Sequence, residues 1–529
     1  MKRLLSFILL SALGISPVFA SVIDDQISEA LNDKAQQELS KNAEELNEKI
    51  TFSKVNSCAS MESILSGFLD TYRKLNPQRN YDYRLYNWIK WLWATMMVED
   101  VAVYNSSVDY AVAEKAESIQ TSISDFSTTN IQKAWVDEPD ILKSNGKYLF
   151  YYAQERNSNY VNIIDVKNAI ETPKADDLSN IEIIKKISIP NNLYNVQLFL
   201  NWNNLVILAS RYASSNYDSI LWSARSLVIV YDISDVDNLV LEKMTEVYWY
   251  FEDARMINDQ IYLISSINLS RYNIAWSDKP IVFNDIQPKL TDITLKSAQT
   301  PSSAKTYTKR TSTIPCDSIF YLLPSEETMK ETGIYPNFTL ISQISLSDVS
   351  AAPKQNLVFG NVNEIHMSQS SLYLPSPIYL SRPTNCSLYG CISSWYYRDE
   401  NTLIHKFNLW KSVSYLDSTI IPGTPLNQYA MDEDDNWNFR ILTTTRYDQN
   451  ATHLFVLDDK LKLKWSLMNI EPGENFKSSR YIWDKLYLVT YQTIDPLFVV
   501  DIEDISNPKI IWELKLPGYS TYLHPYADA

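Results

Sequence analysis

Glycine is scarce in this sequence: 9 of the 529 residues are glycine, against a typical share of about 7%. Phosphate-binding loops and the GxSxG turn of many hydrolases depend on glycine, and neither pattern occurs. Histidine is rare too, with four residues, His366, His405, His453 and His524, and no HExxH pair. The common signatures of nucleotide-binding proteins, serine hydrolases and zinc proteases are therefore absent.

Cysteine is equally rare, and none of the four residues has the CxxC spacing of a zinc site. Cys386 and Cys391 flank a short loop, and this separation predicts a local disulfide, with free thiols as the alternative. A bridge between Cys58 and Cys316 would follow only by elimination. Four cysteines suit an oxidising compartment.

Long apolar runs are missing after the first 20 residues, so no transmembrane helix is predicted. The start of the chain reads as a secretory signal peptide over residues 1–20. Lys2 and Arg3 precede an apolar run from Leu4 to Leu13, and Val18-Phe19-Ala20 forms a small-residue cleavage site. We therefore predict a protein that is secreted, or held at the cell surface by a partner.

Positive charge is in deficit: the formal net charge is −16, and loss of Lys2 and Arg3 with the leader gives −16 − 2 = −18. An acidic protein of this kind is a poor ligand for nucleic acids and anionic membranes. Cations and basic partners are favoured instead.

Residues 21–125 are predicted to form a helical region and linker. Apolar residues recur every three or four positions over residues 24–50 and again over 59–74, which is typical of amphipathic helices. The first helix would pack on the side of the following domain or pair with a partner helix. Residues 107–121 form a third helical piece or a loose linker.

The stretch from Phe126 to Gln154 starts the second region, residues 126–529. Asn145-Gly146 between extended segments is a strong hairpin signal, because a two-residue turn needs positive φ. The stretch also resembles the secreted bacterial and archaeal β-propeller proteins that are distantly related to WD repeats. The matching residues are Ser127-Thr128-Thr129-Asn130-Ile131-Gln132, Val136-Asp137-Glu138-Pro139-Asp140, Lys143 and Gly146.

Short strand pairs then recur, at first about every 56 residues, which is typical of propeller blades. We predict an all-β propeller of about six four-stranded blades, whose ring could be incomplete. The insertion at 267–338 is interpreted as a surface loop of the third blade, or as a hidden seventh blade. The predicted strand pairs are Lys147–Tyr152 with Tyr160–Asp165, Leu205–Ser210 with Leu227–Asp232, Ile261–Ser266 with Thr339–Leu346, Leu372–Leu374 with Thr402–Asn408, Phe439–Thr444 with His453–Leu457, and Leu486–Tyr491 with Leu497–Asp501.

Tryptophan stands where glycine is expected. Trp202, Trp437 and Trp483 lie at predicted hairpin tips, where φ is positive and a bulky residue is penalised. One hypothesis is that the source organism reads the codon UGA as glycine; aromatic packing between blades is the alternative. The resemblance implies glycine at Trp135, Trp202, Trp249, Trp410, Trp437, Trp465, Trp483 and Trp512, and the hypothesis extends to Trp88, Trp91 and Trp93.

Two acidic segments are candidate sites. Asp432, Asp434 and Asn436 resemble the first half of a calcium loop, but acidic ligands do not follow at Arg440 and Thr443, so a solvated hairpin is the alternative. Acid–base catalysis, cation binding and a structural role remain open for a second set, Asp137, Glu138 and Asp140.

From these patterns we predict an exported propeller that acts as a binding or scaffold protein. Its partner would be an extracellular or cell-surface protein or a glycan, bound on the blade loops, the channel mouth or the 267–338 insertion. The alternative is an extracytoplasmic metal-assisted hydrolase that uses carboxylates near Asp137 and Asp432. Ca²⁺ is the only cofactor that the pattern suggests.

Overall fold

The computed structural model describes residues 37, 40–75, 131–156, 158–166, 182–212, 224–269, 282–295, 306–322, 324–332, 337–348, 350–360, 362, 364–382, 397–446, 450–491, 495–504, 507–516, 520 and 522–523. Several sequence predictions lie outside these residues. They are the signal peptide (1–20), the third helical piece (107–121), the Cys386–Cys391 bridge, and the segment with Trp88, Trp91 and Trp93.

The N-terminal region contains helix α1 (residues 40–49), strand β1 (Phe52–Lys54) and helix α2 (Cys58–Leu75). Helix α2 matches the second predicted helix and buries one apolar face, formed by Met61, Leu65, Phe68, Leu69 and Tyr72. The spacing of three and four residues between these side chains places them on one side of the helix.

Six sheets follow in the described chain, and each contains a four-stranded antiparallel meander, so the predicted all-β propeller is confirmed. Blade 1 contains β2 (Leu142–Ser144), β3 (Tyr148–Gln154), β4 (Asn159–Asp165) and β5 (Glu182–Ile189). Blade 2 contains β6 (Leu193–Asn201), β7 (Asn204–Tyr212), β8 (Ala224–Asp232) and β9 (Val240–Tyr248). Blade 3 begins with β10 (Tyr250–Ile257) and β11 (Gln260–Asn268).

An insertion interrupts blade 3. It supplies the short helix α3 (Phe283–Ile286), β12 (Lys289–Leu295), β13 (Tyr307–Thr313), β14 (Ile319–Leu322) and helix α4 (Glu326–Thr332). Strands β15 (Asn337–Ser345) and β16 (Lys354–Phe359) then complete the blade.

The last three blades follow the same plan. Blade 4 contains β17 (His366–Met367), β18 (Ser371–Arg382), β19 (Tyr397–Asn408) and β20 (Ser414–Pro422). Blade 5 contains β21 (Met431–Glu433), β22 (Phe439–Thr445), β23 (Ala451–Leu457) and β24 (Leu463–Ile470). Blade 6 contains β25 (Asn475–Ile482), β26 (Lys485–Tyr491), β27 (Asp495–Asp501) and β28 (Lys509–Leu516). All six predicted strand pairs are present.

The described part of the insertion corrects the surface-loop interpretation. Strand β12 pairs with β9 and with β13, so it extends blade 2, while β14 pairs with β16 and β1 and extends blade 3. These pairings cover outer edges that would otherwise leave backbone groups open. A disulfide between Cys58 and Cys316, with Cα atoms 5.2 Å apart, fastens helix α2 to the insertion.

The hydrophobic core consists of clusters that lie between successive blades. Phe150 packs with Leu205 between blades 1 and 2, and a larger cluster joins blades 2 and 3 to the N-terminal helices. Three more clusters join blade 3 to 4, blade 4 to 5 and blade 5 to 6. Within the described residues, no such cluster joins blade 6 to blade 1.

Candidate functional site

Residues 131–140, here called the axial segment, cross the first strands of several blades before blade 1 begins. Asp137 exchanges backbone hydrogen bonds of 2.8 and 3.0 Å with Met256 in blade 3. Asp140 does the same with Leu198 in blade 2, at 3.1 and 2.7 Å. Two blades are therefore tied to the segment through its backbone.

The same segment reaches blades 5 and 6 through side chains. The Gln132 amide donates to the Met431 carbonyl at 3.0 Å, and the ammonium of Lys133 lies 3.0 Å from the Asp432 carboxylate in blade 5. The guanidinium of Arg480 in blade 6 donates to the Ile131 carbonyl at 3.0 Å. The described part of the motif that resembles the secreted propeller proteins thus links blades 2, 3, 5 and 6 through hydrogen bonds and an ion pair.

The acidic residues of this segment have protein partners. The Lys143 ammonium lies 2.7 Å from the Asp137 carboxylate and donates to the Glu138 carbonyl at 2.6 Å. Burial raises the pKa of Asp137, and the charge of Lys143 opposes that rise. The Glu138 carboxylate accepts from the Gln132 N–H at 2.8 Å and from the Gln428 amide at 3.0 Å.

The Asp140 carboxylate does not share these partners; it accepts the N–H of Ile141 at 2.6 Å. The buried Arg255 lies 4.0 Å from Glu138 and 2.7 Å from Asp253. Neither Asp137 nor Glu138 is therefore left without a partner. This geometry favours the structural interpretation of the acidic cluster over acid–base catalysis, which stays a prediction.

The predicted calcium ligands are engaged as well. Asp432 is buried and forms ion pairs with Arg440 and Lys133. Burial alone would raise the pKa of Asp432, but these two cations outweigh it and hold the pKa below its ordinary value. Asp434 accepts the N–H groups of Asn436 and Asn438, both at 2.9 Å, and so closes its own turn. The calcium site stays a prediction.

Another acidic group, Asp484, Asp501 and Glu503 in blade 6, places its oxygens within 4.8 Å of one another. The Lys485 ammonium already lies 3.2 Å from Asp484 and 3.0 Å from Asp501. Two of the three carboxylates are therefore already paired with a cationic side chain.

His366 and His405 differ from the prediction that they are satisfied polar side chains. Both are fully buried, and their ring nitrogens have no hydrogen-bond partner among the described residues. Burial lowers the pKa of His366 to about 4 and that of His405 to about 3. Rings held neutral in this way pack as aromatic groups: His405 meets Phe52 edge-on, with ring centroids 4.6 Å apart.

A cavity of about 190 Å³ lies between blades 4 and 5. Strand β17 pairs with only two residues of β18, Leu372 and Tyr373. The edge of β18 is therefore free of ladder bonds to β17 at Pro375 and Pro377, where a residue without an N–H is tolerated. We call this cavity the blade 4–5 cleft, lined by Glu364, Pro375, Pro377, Tyr379, Glu400, Thr402, Thr424, Pro425 and Arg446.

Gly423 precedes Thr424, one of the residues that line the cleft. Its φ is +78°, and its N–H donates to the Glu400 carbonyl at 2.7 Å. A Cβ at this position would lie 2.7 Å from the Thr443 hydroxyl oxygen, so a side chain does not fit without a shift. The connection between the two blades can follow this close path because residue 423 is glycine.

The cleft carries two carboxyl groups in unusual surroundings. Burial, together with the charge of Asp253, raises the pKa of Glu364 to about 6. Burial also raises the pKa of Glu400, although Arg446 opposes that rise. One oxygen of Glu400 is buried without a hydrogen-bond partner among the described residues. Two carboxyl groups that line one cavity are an arrangement that a cationic ligand would satisfy.

Sequence reasoning missed Glu364, Glu400 and Arg446. They belong to no motif, and the register that pairs Tyr379 with Glu400 is what brings the two long strands together at the cleft. An isolated acidic residue gives no signal until the strand pairing is known.

The chain belongs to the beta propeller domain family, whose model matches residues 126–529. It is 26% identical over 450 residues to an uncharacterized protein of Methanocaldococcus jannaschii, a match that covers 78% of this chain and 66% of the relative. An uncharacterized protein of Archaeoglobus fulgidus is 24% identical over 452 residues, covering 77% and 66%. The chain thus spans slightly less than two thirds of these relatives.

Solved structures are more distant. A Synechocystis apocarotenoid oxygenase mutant is 10% identical, with a TM-score of 0.30 and 72% of each chain covered. The dihydro-heme d1 dehydrogenase NirN is 11% identical, with a TM-score of 0.27, covering 72% of this chain and 66% of that one. Among the described residues, no helix is both long and apolar enough to cross a bilayer.

Proposed function

We propose that this protein is an exported binding protein whose ligand site is the blade 4–5 cleft. The observation that carries the proposal is the pair of carboxyl groups, Glu364 and Glu400, that line one cavity with a single cationic side chain, Arg446. The acidic residues of the axial segment have partners already, so the cleft is the better candidate for a ligand.

The ligand that fits best is a cationic side chain of an extracellular or cell-surface protein. The cleft is lined by two carboxyl groups, Glu364 and Glu400, and by one cationic side chain, Arg446. The volume of about 190 Å³ lies below the range of about 300–1,000 Å³ usual for pockets that enclose whole small molecules. One lysine or arginine side chain suits this size better than a glycan does, and the net charge of −16 also favours a basic partner.

Two features support export. The first 20 residues have the pattern of a secretory leader, with cleavage expected after Ala20. The disulfide between Cys58 and Cys316 suits an oxidising compartment. The resemblance to secreted proteins related to WD repeats agrees with a binding or scaffold role.

Titration calorimetry with N-acetyl-lysine amide and N-acetyl-arginine amide tests the site, with N-acetyl-leucine amide as the neutral probe. We expect binding of a cationic probe at pH 7.5 and at least tenfold weaker binding in Glu400→Gln, since a charge-assisted hydrogen bond is lost. Glu327→Gln, which changes an exposed acid on helix α4, is the matched control and should bind normally.

Binding should also weaken between pH 7.5 and pH 5. The pKa of Glu364 is about 6, so this carboxyl group loses its charge as the pH falls through that value. Equal affinity for the leucine and cationic probes, or no effect of Glu400→Gln, would contradict the proposal. Stoichiometric calcium that disappears in Asp432→Ala and Asp434→Ala would instead favour the metal-assisted hydrolase.

A further inference from the structure

Five tryptophans have backbone conformations that favour glycine. Their φ angles are positive: 67° at Trp135, 46° at Trp202, 94° at Trp249, 60° at Trp437 and 59° at Trp483. Eleven non-glycine residues of the described chain have positive φ, so these five are nearly half of them. Three others are asparagine, which tolerates this region, whereas a bulky side chain clashes with its own backbone there.

Three of these tryptophans occupy the same turn in different blades. The turn between the first and second strands carries Gly146 in blade 1, with φ at 83°, and Asn258 in blade 3, with φ at 53°. Trp202, Trp437 and Trp483 take the corresponding place in blades 2, 5 and 6. One structural position therefore accepts glycine or asparagine in two blades and has tryptophan in three.

Packing does not explain the choice of tryptophan. The exposed fraction is 88% for Trp202, 81% for Trp483, 78% for Trp135 and 58% for Trp437, although large aromatic side chains are normally well buried. Trp249 is the opposite case: it is 1% exposed, and its indole N–H is buried without a hydrogen-bond partner among the described residues. Neither surroundings nor backbone selects an indole at these positions.

We propose that these five positions are glycine in the protein made by its source cell, because that cell reads UGA codons as glycine. A single change in decoding accounts for the positive φ angles and for the exposed indoles together, and it raises the glycine count from 9 to 9 + 5 = 14. Trp410, Trp465 and Trp512 were also predicted to be glycine, but they are not among the residues with positive φ. The inference therefore rests on the other five.

The codons of the gene and the mass of the native protein decide the question. We expect UGA at positions 135, 202, 249, 437 and 483, and glycine in the corresponding peptides of protein purified from the source cell. UGG codons at these positions, or tryptophan in those native peptides, would overturn the proposal.

A second measurement uses the chain printed here, produced in a host with the standard code. Trp202→Gly and Trp483→Gly should each raise the melting temperature by roughly 1–3 °C, since the backbone strain is relieved. Asn258→Gly, at the same turn of blade 3, is the matched control and should change it less. A lower melting temperature in both tryptophan variants would contradict the proposal.

Discussion

Blades 3 and 1 use the same strand order but bury their second strands differently. Strand β11 of blade 3 is buried from Ile261 to Ile267, on both faces. In strand β3 of blade 1, only Phe150 is fully buried, and Tyr151 on the opposite face is 39% exposed. A blade inside the series therefore needs two apolar faces, whereas a blade at its end packs through one.

Blade 6 is intermediate: Val489 and Thr490 of its second strand β26 are buried next to Leu488, but the strand is not buried along its whole length as β11 is. Leu486 and Leu488 of strand β26 face blade 5, while Tyr487 between them is only half-buried. Ile183 in blade 1 and Ile511 in blade 6 are 46% and 52% exposed. The incomplete ring inferred from the sequence stays a prediction, and the half-covered faces of the two end blades agree with it.

The largest effect is expected where blade 1 is tied to the axial segment. Lys143→Met leaves the Asp137 carboxylate without its cation, and breaking a buried pair in this way should cost about 3–5 kcal/mol of unfolding free energy. Lys186→Met breaks the exposed pair with Glu155 and should cost at most about 1 kcal/mol. Urea denaturation measures both variants. Equal losses of unfolding free energy in the two variants would mean that the pair of Lys143 and Asp137 stabilises blade 1 no more than an exposed ion pair does.

A pair of isoleucines compares the two kinds of blade directly. Ile264→Ala empties a fully buried position between blades 3 and 4 and should cost about 2–5 kcal/mol. Ile183→Ala, on the exposed face of blade 1, should cost less than about 0.5 kcal/mol. The same denaturation assay applies. A large loss of unfolding free energy in Ile183→Ala would show that this face of blade 1 is covered and would contradict the comparison.

Acid should weaken the inner blades, since His366, His405 and His453 lie in blades 4 and 5. Burial lowers the pKa of each ring, to about 4, 3 and 4 respectively. The unfolded chain takes up protons below its ordinary histidine pKa of about 6.5, whereas the folded protein does not. Stability is thus complete above pH 6.5 and falls as the pH drops toward 4.

At pH 5 each buried histidine should lower the free energy of unfolding by roughly 2 kcal/mol, because pH 5 lies about 1.5 units below the histidine pKa of the unfolded chain. Thermal unfolding between pH 7.5 and pH 5 measures how steeply stability falls with pH. His405→Leu removes one of the three histidines and should reduce this dependence by about a third. A slope that is unchanged in this variant would contradict the assignment.

The strands were predictable because their signals are local. Alternating apolar runs and turn residues located all six strand pairs, and the spacing in residues 59–74 located helix α2. The disulfide between Cys58 and Cys316 followed from the sequence only by elimination, and the pairing of β12 with β9 was not predicted, because both join segments that are far apart in sequence. The insertion was interpreted as a loop for this reason.

The candidate site was likewise predictable from the sequence only where its signal is local. The motif around Asp137 was visible in the sequence, but its role as a tie depends on contacts with Met256 and Leu198 in other blades. Glu364 and Glu400 had no sequence signal at all. Their significance comes from their shared place in the blade 4–5 cleft, which depends on the pairing of distant strands.

Hydrogen–deuterium exchange, read by mass spectrometry on peptides from the second strands, tests the packing of successive blades most directly. We expect amides of β11 and of strand β22 in blade 5 to exchange more slowly than those of β3 and β26, because inner blades are covered on both faces. Equal exchange in all four strands, or slower exchange in β3 and β26, would contradict this account.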